Sequence, residues 1–312
     1  MAENKLRYHI LAFLVVAVWG ITFISTKVLI REGLHPSQIF AIRFAIAYAG
    51  IWFLCLGKEE NKRLFTGSLR DEIILLFLGV TGGSFYFLAE NTALACTQAC
   101  NVAFIVCSAP LFTTCFTILI KKAFKGDLVD DLEDVSGRWT LLIGSMLAIG
   151  GMAAVLFDGN AVQFSVKGDL LALVAAVCWA MYSILMGQMT IRYGTVFATR
   201  KVFFYGLITI LPFIIGKDLD FSSFANIKVW GNLLFLSVFA SLICFVVWNK
   251  VIPHLGNITA TNYVYLNPFF TLVFAVILLG ETMTFQSGAG CAAILTGVII
   301  GGIQPKKKVN RD

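Results

Sequence analysis

Two apolar runs, residues 91–120 and 251–280, each pass thirty residues without Lys, Arg, Asp or Glu, and each carries one late proline, Pro110 or Pro268. The prolines match at an offset of 158, where Ala109-Pro110-Leu111-Phe112 overlays Asn267-Pro268-Phe269-Phe270 and Asn91 overlays Asn249. Trp19-Gly20 overlays Trp179-Ala180 at offset 160, and Phe40-Ala41-Ile42-Arg43 overlays Phe197-Ala198-Thr199-Arg200 at offset 157. One unit is therefore written twice, with the halves read as residues 1–157 and 158–312. Runs this long and uncharged belong in lipid. With 58% hydrophobic and only 13% charged residues, against about 25% charged in soluble domains, the chain lacks the polar surface to stay in water.

A spanning helix needs about 20 apolar residues. Ten stretches qualify, near 9–30, 37–56, 72–90, 95–120, 139–157, 168–191, 197–216, 229–249, 257–280 and 284–304. Asn91–Thr97 and Asn249–Asn257 are read as turns leading into the fourth and ninth spans. The first stretch is long enough to span, so no cleavable signal peptide is needed to explain it. Threading ten spans from a cytoplasmic start leaves both termini inside. Eighteen lysines and arginines then lie inside and four outside, which fixes the orientation by the positive-inside rule. Five spans per half is an odd number, so the halves cross the membrane in opposite senses. The expected fold is an all-α integral membrane protein, ten helices in a 5+5 inverted repeat around a central cavity. Such a repeat is a basis of alternating access in secondary transporters.

Side chains three and four apart share a helix face. This aligns Trp19, Phe23 and Lys27; Trp179, Ser183 and Gly187; Asn101, Ile105 and Ala109; and Thr259, Tyr263 and Asn267. Polar and aromatic groups turned to lipid would lack partners, so these stripes face protein or a wet cavity. Trp19, Phe23, Arg43, Asn101, Trp179, Ser183, Tyr263 and Asn267 are the candidate substrate-binding residues. Pro110 and Pro268 are candidate hinges, since each removes a backbone donor. Lys27, Arg43, Glu90 and Glu281 are the unusual charges, placed by the topology in the outer third of the membrane. Lys27 and Arg43 either snorkel outward or meet a carboxylate. Glu90 is a candidate for charge coupling, as is Lys27, whereas Glu281 suits the N-terminus of the tenth helix.

Trp19-Gly20-Ile21-Thr22-Phe23, Ala41-Ile42-Arg43-Phe44, the stretch from Thr92-Ala93-Leu94 to Phe112, Ala260 to Pro268, and Leu278-Leu279-Gly280-Glu281 resemble the EamA branch of the drug/metabolite transporter superfamily. The resemblance covers nearly the whole chain. It implies ten helices in a 5+5 inverted repeat that move small metabolites across the plasma membrane, often outward. The sequence departs from the pattern where Lys122-Ala123 stands in place of the first repeat's Gly-Glu. An acidic stretch follows, Asp127, Asp130, Asp131, Glu133 and Asp134, read as part of a cytoplasmic loop spanning 122–138.

No Gly-x-x-x-x-Gly-Lys-Ser/Thr run is present, so any driving force is an ion gradient, exchange or the solute's own gradient. The eight cysteines lie in or beside apolar segments without His partners and read as small hydrophobes, so neither a metal nor a cofactor is expected. The net charge of +6 is topological and calls for no nucleic acid. Embedded cations suit a carboxylate and the tryptophans an apolar moiety, a pairing met by a hydrophobic amino acid. The expected partners are that small solute and the bilayer, with monomer and dimer both open. An organophosphate or nucleotide-sugar exchanger and a lipid-modifying membrane enzyme are the alternatives. His9, His35 and His254 lie on different surfaces, which disfavours the enzyme.

Overall fold

Polar residues mark where the helices start, and glycines mark two of the places where they stop. In the computed structural model, which describes residues 2–97, 99–123, 139–156, 165–218, 221–279 and 284–302, every regular element is helical among the described residues. Helix α1 is Ala2–Arg31 and α2 is Pro36–Cys55. Before α2, His35 caps the helix through Nδ1, and Pro36 occupies a first-turn position where its missing N–H costs nothing. Helix α3, Leu69–Cys96, starts at the N-cap Ser68, whose hydroxyl accepts from the Asp71 amide at 3.4 Å. Then come α4 (Ala99–Val106), α5 (Ala109–Ala123), α6 (Trp139–Leu156) and α7 (Val166–Tyr193). Helices α8 (Thr195–Ile210), α9 (Ile227–Leu255), α10 (Asn257–Asn262), α11 (Asn267–Leu279) and α12 (Phe285–Gly302) complete the chain, with a 3₁₀ turn at Tyr263–Leu266.

Gly194 and Gly256 separate α7 from α8 and α9 from α10 with φ/ψ of 81°/153° and 90°/154°. That region is essentially restricted to glycine, so the chain turns there without the 1–3 kcal/mol or so of strain another residue would bring.

Among the described residues, seven segments are long and apolar enough to cross a membrane: Lys5–Arg31, Pro36–Cys55, Leu69–Cys96, Asn101–Ala123, Val166–Tyr193, Thr195–Phe213 and Ile227–Leu255. Trp139–Ala154 and Gly288–Gly301 are shorter apolar helices, and the run 257–279 is divided by the 3₁₀ turn at Tyr263–Leu266. Large apolar side chains point outward, among them Phe53, Trp139, Met146 and Ile191. With no water to satisfy, such a surface is suited to lipid tails.

The packing partners follow a pattern. Helix α1 lies against α9 and α11, while α7 lies against α3 and α5. Helix α2 packs on the π-helical part of α9, and α8 on the π-helical part of α3. These π segments, Val80–Ser84 and Phe235–Ile243, sit about 158 residues apart. Helices α2 and α8 meet each other, as do α6 and α12. In the last pair the backbones touch, because a Cβ on Gly144 would lie 2.5 Å from the Gly297 carbonyl, and one on Gly297 2.5 Å from the Gly144 carbonyl.

The turns expected at Asn91–Thr97 and Asn249–Asn257 fall later. Helix α3 runs through Asn91 to Cys96, and α9 through Asn249 to Leu255. Both asparagines are buried cross-links: Asn91 Nδ2 donates to the Pro36 carbonyl at 3.1 Å, and Asn249 Nδ2 to Thr199 Oγ1 at 2.9 Å. A polar residue with a partner on a neighbouring helix has no need to break its own. The boundary at residues 157 and 158, the acidic stretch Asp127–Asp134, Glu281 and the basic C-terminal tail lie outside the described residues.

Candidate functional site

Helices α1, α2, α3 and α7 each deliver side chains to one internal cavity, whose walls are completed from α4, α9 and the segment around α11. Trp19, Thr22, Phe23, Arg43, Tyr86, Phe87, Glu90, Trp179, Phe245 and Asn267 line it. Its volume is about 30 Å³, room for roughly two water molecules. Trp19 and Trp179, repeat mates at offset 160, meet edge to face with ring centroids 5.2 Å apart. Phe87 and Phe245, mates at offset 158, meet at 6.2 Å. Tyr86 lies tilted against Trp179, ring centroids 5.2 Å apart. The walls are thus an aromatic box.

Two opposite charges enter that box. Arg43 is 3% exposed, and its Nε donates to Ser241 Oγ at 2.5 Å while the guanidinium lies 4.6 Å from the centre of the Phe87 ring. A desolvated cation over an aromatic face gains up to about 2 kcal/mol. Glu90, 4% exposed, lines the cavity beside Tyr86 and Arg43, yet no ion pair within 4 Å joins Glu90 to Arg43 among the described residues. Glu90 Oε2, Trp179 Nε1 and Asn267 Oδ1 are buried without a hydrogen-bond partner among the described residues. Each such group costs about 1–3 kcal/mol until something pairs with it. Three unpaired groups on one cavity, two acceptors and one donor beside a cation, form a surface shaped for a small polar ligand with an apolar part.

Of the predicted residues, the cavity gathers Trp19, Phe23, Arg43, Glu90, Trp179 and Asn267. It does not gather the others. Ser183 Oγ bonds back to the Trp179 carbonyl at 2.8 Å. Asn101 is buried in α4 outside the cavity lining. Tyr263 accompanies His9, at 2.7 Å, in a separate cleft. Lys27 does not snorkel: Nζ donates to the carbonyls of Leu94 and Thr97, the latter at 2.8 Å, and so caps the C-terminal end of α3. Pro110 and Pro268 stand second in α5 and α11, just after interruptions at 107–108 and at the 3₁₀ turn. They open helices rather than kink them.

Tyr86, Phe87 and Phe245 were hidden in apolar runs. Two signals point to them: Tyr86 lies four residues before Glu90, and Phe245 stands 158 after Phe87.

The two ends of α2 carry different closures. At its start, Ser37 Oγ donates to the Phe213 carbonyl at 3.0 Å and Gln38 Nε2 to the Asp218 carbonyl at 3.0 Å. Beyond its other end, residues 63–66 are strapped to α8 and to the first turn of α3. Arg200 donates to the Arg63 carbonyl, Lys201 to the Leu64 carbonyl at 2.9 Å, and Glu72 Oε1 accepts from the Thr66 amide at 2.7 Å. Lys201 and Glu72 form an ion pair at 2.8 Å, and Asp71 pairs with Arg192 at 3.3 Å.

Residues 6–125 and 166–301 match the profile of the EamA-like transporter family. The chain belongs to that family. Among its relatives, an "Uncharacterized transporter" of Archaeoglobus fulgidus is 25% identical over 295 residues, covering 94% of this chain and 96% of that protein. A "Probable amino-acid metabolite efflux pump" of Escherichia coli K12 is 26% identical, covering 96% and 97%. A "Probable terminal-alkyne amino-acid exporter" of Streptantibioticus cattleyicolor is 24% identical, covering 74% and 73%. A solved crystal structure superposes with a TM-score of 0.69 over 96% of both chains at 16% identity, a likeness of fold. This EamA-like chain is thus a multi-pass membrane protein of a transporter family, and its small-molecule solute meets it in a membrane setting.

Proposed function

We propose that the chain is a secondary active exporter of hydrophobic amino acids, working by alternating access from a plasma membrane with both termini in the cytoplasm. The observation that carries this reading is the charged aromatic box at which repeat mates touch. A two-fold axis between inverted halves has to pass between mates that meet, so the contacts of Trp19 with Trp179 and of Phe87 with Phe245 support an axis running through the cavity. The exchanged packing of α1 with α9 and α7 with α3, and the two family matches starting at residues 6 and 166, support ten spans in a 5+5 inverted arrangement divided near 157. Inversion gives the rocking motion two near-equivalent end states.

An amino acid would place its carboxylate on Arg43, its ammonium on Glu90 Oε2 and Asn267 Oδ1, and its side chain among the rings. Such a zwitterion satisfies the cavity's unpaired groups without leaving a net charge buried. A phosphate clamp needs more than the single cation that lines the cavity, which favours an amino acid over an organophosphate. A cavity of about 30 Å³ has to widen to admit an amino acid. Pro110 and Pro268, each beside a helix interruption, are the proposed bending points. The names of the E. coli and S. cattleyicolor relatives agree with amino-acid export.

Counterflow of labelled phenylalanine in liposomes holding the purified protein tests the reading. Accumulation that is lost in Arg43→Ala, with the solute chemically unchanged, is the expected result. Absence of counterflow across a panel of amino acids, or release of a modified product, overturns it.

A further inference from the structure

A second cleft opens on the outside of the helix bundle, apart from the aromatic box. It measures about 420 Å³, within the range of roughly 300–1,000 Å³ usual for ligand pockets. His9 and Phe13 of α1, Thr259 and Asn262 of α10, Tyr263 and Leu266 of the 3₁₀ turn, and Leu295, Val298 and Ile299 of α12 line it. Its walls change character along the length of α1. His9, Thr259 and Asn262 form one end. One helical turn further along the chain stand Phe13 on α1 and Leu266 after α10, and Leu295 of α12 lines the same cleft. The polar end lies toward the start of α1, where Lys5 is close enough to His9 to act on it electrostatically. Phe13 is 40% and Ile299 68% exposed on the rim, so the cleft opens sideways into the lipid-facing surface.

Asn262 is 3% exposed, and its Oδ1 has no hydrogen-bond partner among the described residues. It needs a donor. A molecule with an apolar chain below and an N–H above satisfies both ends at once. That is also how a phospholipid lies in its leaflet, with chains toward the membrane centre and headgroup at the surface.

We propose that this cleft is a binding site for one acyl chain and the headgroup of a phospholipid carrying a primary ammonium, as in phosphatidylethanolamine. The chain lies along Phe13, Leu266 and Leu295, and the ammonium donates to Asn262 Oδ1 after an outward turn of the amide. A choline headgroup has the same net charge and a similar length but carries no N–H, so it binds the chain slot without pairing Asn262. The proposal stands apart from the solute reading, because it concerns a different cleft.

The test is native mass spectrometry of the purified protein with lysophosphatidylethanolamine and lysophosphatidylcholine of equal chain length. The wild type is expected to retain one molecule of the ethanolamine lipid at least fivefold more tightly than the choline lipid. Leu295→Trp, which fills the slot, is expected to weaken both at least tenfold. Asn262→Leu is expected to equalise the two lipids, and Asn262→Asp to widen the preference. Thermal unfolding of each variant in detergent shows which of them fold, and the aspartate variant keeps the question open to decision if the leucine variant does not. Equal retention of the two lipids by the wild type, or retention undiminished in Leu295→Trp, overturns the proposal.

Discussion

Lys201 and Glu72 lie 2.8 Å apart across 129 residues of chain, with side chains only 4% and 14% exposed. The same glutamate also receives the Thr66 amide and the Tyr205 hydroxyl, so one carboxylate joins the segment before α3 to α8. Removing either partner strands the other in a poorly solvated place, and one charge left alone is worse than none. Glu72→Gln and Lys201→Met should each lower the unfolding temperature in detergent. The double variant should recover part of the loss, with a coupling of about 1–3 kcal/mol. Strictly additive losses would show that the ion pair contributes nothing.

The two tryptophans of the aromatic box differ in one respect. Trp19 Nε1 donates to the Ala240 carbonyl at 3.0 Å, whereas Trp179 Nε1 has no partner among the described residues. Trp19→Phe should therefore cost roughly 1 kcal/mol of stability or more, the net worth of a buried hydrogen bond and its orphaned carbonyl. Trp179→Phe keeps an aromatic ring and deletes an unsatisfied donor, so it should leave stability nearly unchanged and raise the KM for transport several-fold. Measuring Tm and KM for both separates packing from solute contact. Matching losses of stability would remove the case for Trp179 as a donor to the solute.

Arg43 offers a planar fork of donors, one of them used on Ser241. Arg43→Ala should abolish transport of carboxylate-bearing solutes and affect their amine analogues less. Arg43→Lys should recover little, because a point charge cannot hold Ser241 and a carboxylate in one plane. Uptake of amino acids and of the corresponding amines by the same vesicles compares the two losses, and equal losses would count against a carboxylate contact.

His35 caps α2 by accepting at Nδ1 from the Ser37 amide at 3.3 Å, and it lies outside the spanning segments. Partial burial, and then the nearby charge of Lys217, hold its pKa below the usual 6.5. The folded protein therefore prefers neutral His35. The sign follows: this contribution is fully present above the unfolded pKa near 6.5, and it is lost as pH falls toward the depressed folded value. His35→Asn keeps a capping acceptor without titrating. Unfolding temperature against pH should fall less steeply below pH 6.5 in the variant than in the wild type.

Part of this site was legible because echoed residues in the sequence point to one another. Trp19, Trp179, Arg43 and Asn267 stood out as echoes or as polar residues in apolar runs, and Glu90 as a charge where charges are costly. Tyr263 shows where such reading stops. Thr259, Tyr263 and Asn267 share a face only if the helix between them is continuous, and the 3₁₀ turn at Tyr263–Leu266 winds by about 120° per residue rather than 100°. The phase is reset there, so Asn267 lines the aromatic box while Tyr263 joins His9 in the other cleft. The interruption at 107–108 parts Asn101 from Ala109 in the same way. Hydropathy alone does not register a change of winding between two apolar turns.

Where α6 crosses α12, the main chains of Gly144 and Gly297 come together with no side chain between them. Nothing at that crossing can be compressed, and no rotamer is free to swing. A spectroscopist following this molecule through its cycle needs a baseline that holds still, and labels on the outward-facing Met146 and Thr296 would provide one. Distances from that baseline to α2 or α8 would then test whether those helices move in the proposed cycle.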